Sequence, residues 1–320
     1  MKVLVTGANG FVGRALCRDL VQRGHELRRA VRDTSGASPP DGAATVVVGD
    51  VGPNTDWTAA LVGVDAVVHL AARVHMLQDT APDALAEYRR VNVGGTRALA
   101  AAARRAVVRR LLFLSSAKIH GERSVRPFTE MDAPHPQDAY AVSKLEAEEA
   151  LKQTLAGGQT QWTILRPPLV YGPEVRANFL RLIRTVARGV PLPLAAIDNR
   201  RSLLYVRNLV EAIRTCLEHE GAGGRTWLVS DGEDLSSPEL VRRLARALNR
   251  SARLVPVPVS LLRLAGALSG KTEAVNRLVD SLQLDAAAIR ADLRWTPPYS
   301  VDEGLLETAR WFRAPQGAQA

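Results

Sequence analysis

The stretch "TGANGFVG", residues 6–13, follows the apolar run "KVLV" and leads into a helical pattern, and its reading decides the fold. It sets glycines at 7, 10 and 13. In such a turn the first glycine permits a sharp bend, the second lets backbone approach a pyrophosphate, and the third lets the helix pack closely. The N–H groups at the helix start then face the phosphates. Gly7, Asn9, Gly10, Phe11, Val12 and Gly13 form the candidate dinucleotide loop. Glycines serving only as turn formers are the competing reading. The strand before and the helix after supply the context a phosphate loop needs.

Outward from this loop the pattern repeats. "ELRRAVR", "ATVVVGD", "DAVVHLAA", "RLLFLSS" and "TILRPPLVYG" read as strands, with helices expected at 13–23, 57–62, 82–105 and 139–155. Val/Leu-rich strands alternating with helices imply a doubly wound α/β fold, a parallel sheet covered on both faces. Its ligands belong at the carboxyl ends of the strands. After Pro167 the rhythm breaks into Pro-rich stretches, with helices near 178–188, 206–218 and 238–248 and short strands "RTWLVSD" and "ARLVPVP". The expected organisation is a Rossmann domain over 1–166 and a smaller α/β substrate domain over 167–320. The chain is free to cross back near 202–230, and the tail from Ala314 is expected to fray.

Composition narrows the function classes. The 320 residues are 46% hydrophobic and 23% charged, an ordinary globular balance. No apolar run is long enough to span a bilayer, and "MKVLVTG" reads as a strand and not as a cleavable leader. Cys17 and Cys216 are isolated, which fits a reducing cytoplasm and argues against disulfides or a metal clip. The six histidines show no ligand spacing, and His69 reads as a core or cofactor-side residue. A net charge of +9 favours an anionic partner. Its arginines are scattered through helices with matching acids, so nucleic acid is not an expected partner, and with no spanning run neither is a membrane. No Gly-x-Ser-x-Gly elbow supports a hydrolase.

"DAYAVSKLEAEEAL" places Tyr140 and Lys144 four apart at the start of a helix, on one face. A free phenol, with a pKa of about 10, exchanges protons poorly at neutral pH. Lowering it to about 7 takes roughly 4 kcal/mol, which an ammonium about 4 Å away can supply. Lys144 is therefore expected to tune Tyr140 and hold the cofactor ribose. Ser116, at the end of "RLLFLSS", is placed to hydrogen-bond the same substrate oxygen. An ordinary tyrosine beside a solvated lysine is the competing reading for the pair in isolation.

With these motifs in order, the chain resembles the extended short-chain dehydrogenase/reductases that act on nucleotide sugars. "TGANGFVG", "GDV", "HLAA", "VNVGGT", "FLSSAKIHG", "YAVSK", "LRPPLVYGP" and "LRWTPPYSVDEGL" carry the resemblance over nearly the whole length. It implies Ser116, Tyr140 and Lys144 as the catalytic set, and Asp50 and Val51 beside the adenine. It also implies Leu70, Ala71 and Ala72 along the cofactor, Asn92 supporting the site and Pro167 near the nicotinamide. Arg73 and Lys118 fall on the substrate side, and Asn178, Arg201 and Arg277 match positions binding a substrate diphosphate. A homodimer through the helices at 82–105 and 139–156 is expected from the family. Three departures bear on the sugar. Leu169 replaces an asparagine, His120 a tyrosine, and Lys118 a small hydroxyl residue.

The cofactor reading turns on "VRD". Where a ribose-binding aspartate is usual, Val31 stands, followed by Arg32, whose planar donors suit a phosphate. NADP(H) is thereby favoured over NAD, with Asp33 taking an NAD ribose as the alternative. "HLAARVH", "NRRSLLYVRNLVEAI" and "GKTEAVNRLVDSLQLD" are most similar to a UDP-glucose 4-epimerase-like subgroup. That subgroup includes reductases forming UDP-N-acetylquinovosamine or its C4 epimer for bacterial surface polysaccharide. The expectation is a UDP-4-keto-6-deoxy-N-acetylhexosamine 4-reductase. The alternatives are a UDP-glucose or UDP-N-acetylglucosamine 4-epimerase with tightly bound NAD, and a non-enzymatic NADP-sensing protein.

Overall fold

The structure, a computed structural model, describes residues 1–33, 43–74 and 83–314. Its first half alternates strand and helix. The elements are β1 (Lys2–Thr6), α1 (Phe11–Gln22), β2 (Glu26–Val31), β3 (Ala44–Val47), α2 (Thr58–Leu61) and β4 (Ala66–His69). Then come α3 (Ala84–Tyr88), a π-helical turn (Arg89–Gly94), α4 (Gly95–Arg105), β5 (Arg110–Leu114), α5 (Ala139–Leu155) and β6 (Gln161–Arg166). The second half holds β7 (Leu169–Tyr171), α6 (Ala177–Ala187), β8 (Arg201–Tyr205), α7 (Val206–Glu218), β9 (Arg225–Leu228) and β10 (Asp234–Leu235). It closes with α8 (Ser237–Ala247), α9 (Val259–Leu268), α10 (Thr272–Val279), α11 (Ala287–Leu293) and α12 (Val301–Arg313).

Seven parallel strands form the main sheet in the order β3-β2-β1-β4-β5-β6-β9, a doubly wound Rossmann arrangement. Side chains from α1, α7 and α11 bury against one face with Val3, Val5 and Val68. Those from α2, α4 and α5 bury against the other with Leu4, Val67 and Leu111. Strands with both faces covered must be apolar throughout, hence "KVLV" and "AVVH". The strand order reverses between β1 and β4, which opens the ligand crevice of such sheets there.

A second sheet, β10-β8-β7, packs its own core with α6, α8 and α12 around Tyr171, Phe179, Leu203 and Leu305. "TILRPPLVYG", expected as one strand, is two. Pro167 and Pro168 supply no N–H to a ladder, so β6 ends at Arg166 and the chain passes to the small sheet as β7. β9 then pairs with β6 while α7 packs on α1, so residues 206–228 lie against the main sheet. "ARLVPVP" is not a strand but makes an isolated bridge at Leu254, because Pro256 and Pro258 cannot donate. The helix expected over 82–105 runs from Ala84 to Arg105 with the π turn inside it. Such turns commonly mark functional sites.

Candidate active site

The turn from β1 into α1 has the shape of a phosphate cradle. Gly7 adopts φ +67°, and a Cβ there would sit 2.7 Å from the Ala71 nitrogen. A Cβ on Gly13 would lie 2.1 Å from the Gly7 carbonyl oxygen, so only glycine lets the helix close on the turn. Gly10 begins α1 without a side-chain cap, which leaves the first-turn N–H groups to an anion. Phe11 and Val12 turn inward against the cores. Arg29, buried in β2, holds the Asn9 side chain. The N–H groups of Leu70 and Ala71 donate to Thr6 Oγ1 at 3.2 and 3.1 Å, which ties the end of β4 to the end of β1, with Ala72 following. These observations fit a bound dinucleotide.

At the outer rim the arrangement differs from expectation. Arg32 Nε pairs with Asp50 Oδ1 at 2.8 Å, and both side chains are more than 70% exposed. A carboxylate claims the guanidinium that was read as a 2′-phosphate ligand, and its negative charge would oppose that phosphate. Val51 packs against the start of α4, where a Cβ on Gly95 would meet its Cγ1 at 2.5 Å.

Ser116, Tyr140 and Lys144 share the carboxyl edge of β5. Asp138 caps α5 by accepting from the Ala141 N–H at 2.7 Å, which fixes the first turn carrying Tyr140. The Ser116 hydroxyl lies close enough to the Tyr140 phenol to oppose its rise. Lys144 Nζ donates to the Leu114 carbonyl at 2.5 Å and lies 3.9 Å over the Phe113 ring. Burial, and then the Asp138 charge, pushes Tyr140 up to about 12, with only the Ser116 hydrogen bond opposing. Burial pushes Lys144 down to about 7 against the pull of Glu148. His69 lies beside Lys144, bonded to Thr6 and Thr96 at 2.7 and 3.1 Å, and burial holds it at about 3. It is a neutral core residue. Among the described residues no cluster of His, Cys, Asp or Glu could hold a metal.

Supporting contacts converge on the same turn. Buried Asn92, inside the π turn, accepts from the Arg73 N–H at 2.8 Å and donates to the Arg73 carbonyl at 3.1 Å and to Ser143 Oγ at 2.9 Å. Ser143 in turn donates to the Tyr140 carbonyl at 2.7 Å. Asn92 thus links the Arg73 backbone to α5. Arg73 lies over the Tyr88 ring, which meets Tyr140 edge-on. The Pro167 carbonyl accepts from the Ala117 N–H at 2.9 Å, which holds the turn after Ser116.

The substrate side is a chain of ions. Lys118 pairs with Asp138 and, at 2.7 Å, with Glu122, and lies 6.0 Å from the centre of the Tyr140 ring. Glu122 reaches Arg277 at 3.6 Å, and Arg201 feels both charges while donating to the Asp280 carbonyl at 2.9 Å. A cavity of ≈ 130 Å³ lies here, lined by Glu122, Asp138, Asn276, Arg277 and Asp280. Asn178 stands apart, exposed in the first turn of α6 with no side-chain hydrogen bond to this group among the described residues.

Sequence reasoning missed a second layer. Glu148, one turn beyond Lys144, is fully buried and holds Arg166 through two bonds of 3.0 and 2.6 Å. Arg166 also donates to His120 Nε2 at 3.1 Å, and His120 stacks on Phe128. The signal was present, since 140, 144 and 148 fall on one helical face.

Residues 3–230 match the model of the NAD dependent epimerase/dehydratase family. The chain belongs to this family. A UDP-glucose 4-epimerase of Vibrio cholerae is 40% identical over 97% of this chain and 95% of its own length. An N-acetyl-alpha-D-glucosaminyl-diphospho-ditrans,octacis-undecaprenol 4-epimerase of Escherichia coli O157:H7 is 30% identical over 97% and 94%. The solved structure of MoeE5 in complex with UDP-glucose and NAD is 27% identical, with a TM-score of 0.78 over 98% of this chain and 99% of that one. This family member is therefore an NAD-binding enzyme of the short-chain dehydrogenase/reductase kind. The expected preference for NADP(H) finds no support, for MoeE5 holds NAD in both of its solved complexes and Arg32 is engaged by Asp50.

Proposed function

We propose that the protein is a UDP-sugar 4-epimerase working on a retained NAD. The observation that carries this reading is the Ser116–Tyr140 hydroxyl pair at the end of β5, between the glycine cradle and the Arg201–Arg277 cluster. The Gly7–Gly13 cradle and Lys144 would hold NAD, which would supply reversible hydride transfer at C4 of the sugar. The protein's residues do the rest. Ser116 and Tyr140 hold the C4 oxygen; as phenolate, Tyr140 would accept the proton that leaves that oxygen and, as phenol, return it when the hydride comes back. Burial pushes this phenol up in the free protein, so its ionised form would rest on the positive charge that bound NAD and Lys144 bring together. Lys144, anchored on Leu114, is set to hold a ribose hydroxyl. Arg201 and Arg277 would clamp the diphosphate, and Glu122 would have to yield Arg277 as they do.

The 4-ketoreductase reading rested on an exchangeable NADPH held by Arg32. With that arginine paired to Asp50, the epimerase is the better supported of the two, and the Vibrio cholerae relative agrees. Purified protein given UDP-glucose or UDP-N-acetylglucosamine, with no nucleotide added, tests it. Equilibration with the galacto form supports the epimerase. Turnover of a 4-keto sugar only with added NADPH would replace it by the reductase.

A further inference from the structure

Helix α9 carries two apolar faces, and the described residues cover only one. Val259 and Leu262 pack into the core of the small sheet, and Gly266 fits against α10, where a Cβ would come 2.8 Å from Val275 Cγ2. The opposite stripe, Leu261, Leu264 and Leu268, is 54%, 56% and 82% exposed. These residues are spaced three and four apart, so they share one side of the helix. Val255, just upstream, is exposed as well. Three leucines aligned toward water on ten residues are costly unless something covers them.

Charge names the occupant. Residues 240–272 contain seven cations, Arg242, Arg243, Arg246, Arg250, Arg253, Arg263 and Lys271, and no carboxylate. Arg242, Arg243 and Arg263 are engaged by Glu239, Glu233 and Asp280. Arg246, Arg250, Arg253 and Lys271 are exposed and form no ion pair with another described residue. A second copy of the chain meeting this surface would bring like charge against like charge. An anionic surface with an apolar interior would satisfy both the leucines and the free cations.

We propose that α9 docks the protein on an anionic phospholipid bilayer, with Leu261, Leu264 and Leu268 entering the interface and the exposed cations that flank the helix in the sequence facing the headgroups. A ten-residue helix, about 15 Å long, lies in the interface and does not cross it. The partner helix α10 carries Asn276 and Arg277, which line the cavity beside the catalytic tyrosine, so docking sets that cavity near the headgroups. This departs from the composition, which gave no membrane partner because it was read for spanning segments. It does not rest on the epimerase reading.

Sedimentation of the full chain with equimolar phosphatidylglycerol/phosphatidylcholine vesicles tests the proposal, with phosphatidylcholine vesicles as control. The parent protein should pellet with the anionic vesicles and stay in solution with the neutral ones. Leu261→Ser/Leu264→Ser/Leu268→Ser should weaken binding about a hundredfold while the melting temperature holds. Glutamine at Arg250, Arg253 and Lys271 should cost roughly fivefold per residue. No pelleting with anionic vesicles, or a leucine variant that binds as tightly as its parent, overturns the proposal. So does a leucine variant whose only change is a smaller particle mass by light scattering, which would make a second copy of the chain the occupant.

Discussion

Tyr140 and Lys144 stand one helical turn apart, yet burial drives them oppositely, the phenol up to about 12 and the ammonium down to about 7. The free site therefore stores no phenolate. Tyr140→Phe should lower kcat by a factor of about 10²–10⁴ with NAD retention unchanged, measured by turnover and by the nucleotide released on denaturation. His69 makes a second prediction. Its folded value of about 3 lies below the ordinary 6.5, so the unfolded chain binds a proton that the folded chain refuses. Stability is complete above pH 6.5 and drains as pH falls toward 3, by about 5 kcal/mol in full. Denaturant melts between pH 7 and 4 should show the loss, and His69→Gln should flatten it; an unchanged slope in the variant would remove His69 as the cause. At this scale the glycines and the Tyr/Lys spacing were legible because each depends on neighbours within one turn. The direction of the Lys144 ammonium was not, since Leu114 and Phe113 set it from another strand. Nor was the fate of Arg32, decided by Asp50 on the loop after β3.

Two elements bear most of the positioning. α1 must close on the β1 turn, so Gly13→Ala, which drives a Cβ into the Gly7 carbonyl, should cost about 1–3 kcal/mol in the denaturant midpoint and abolish NAD retention. Wild-type nucleotide content in that variant would contradict the cradle. α5 is pinned at its start by Asp138 and Asn92 and further along by the buried Glu148–Arg166 pair. Removing one partner of such a pair leaves an unmatched buried charge, so Arg166→Met should destabilise by about 3–5 kcal/mol, read from urea unfolding. The order of strands and helices was legible from periodicity, because parallel strands are apolar throughout and helices repeat every three to four residues. The π turn was not, for the weak helix formers of "RRVNVG" do not by themselves say where a ladder widens. Its cause is Asn92 reaching Arg73 and Ser143, contacts made only after folding.

Across the whole molecule, the proposed active site is a junction. The main sheet supplies the cradle and the hydroxyl pair, β8 and α10 bring Arg201 and Arg277, and Glu122 bridges the two sides. If Arg201 takes the substrate diphosphate as proposed, Arg201→Met should raise the KM for a UDP-sugar roughly tenfold or more while leaving NAD content intact, because it removes a charged hydrogen bond and touches no part of the cradle. Equal losses of nucleotide and of substrate affinity would instead assign Arg201 to the fold. The measurement that bears most directly on the central claim is nuclear magnetic resonance of purified protein with UDP-glucose and UDP-N-acetylglucosamine in turn, without added cofactor, beside mass spectrometry of the nucleotide it retains. Conversion of either sugar to its C4 epimer by protein carrying NAD is the expected result. Protein that carries NAD and leaves the C4 configuration of both sugars untouched would contradict it.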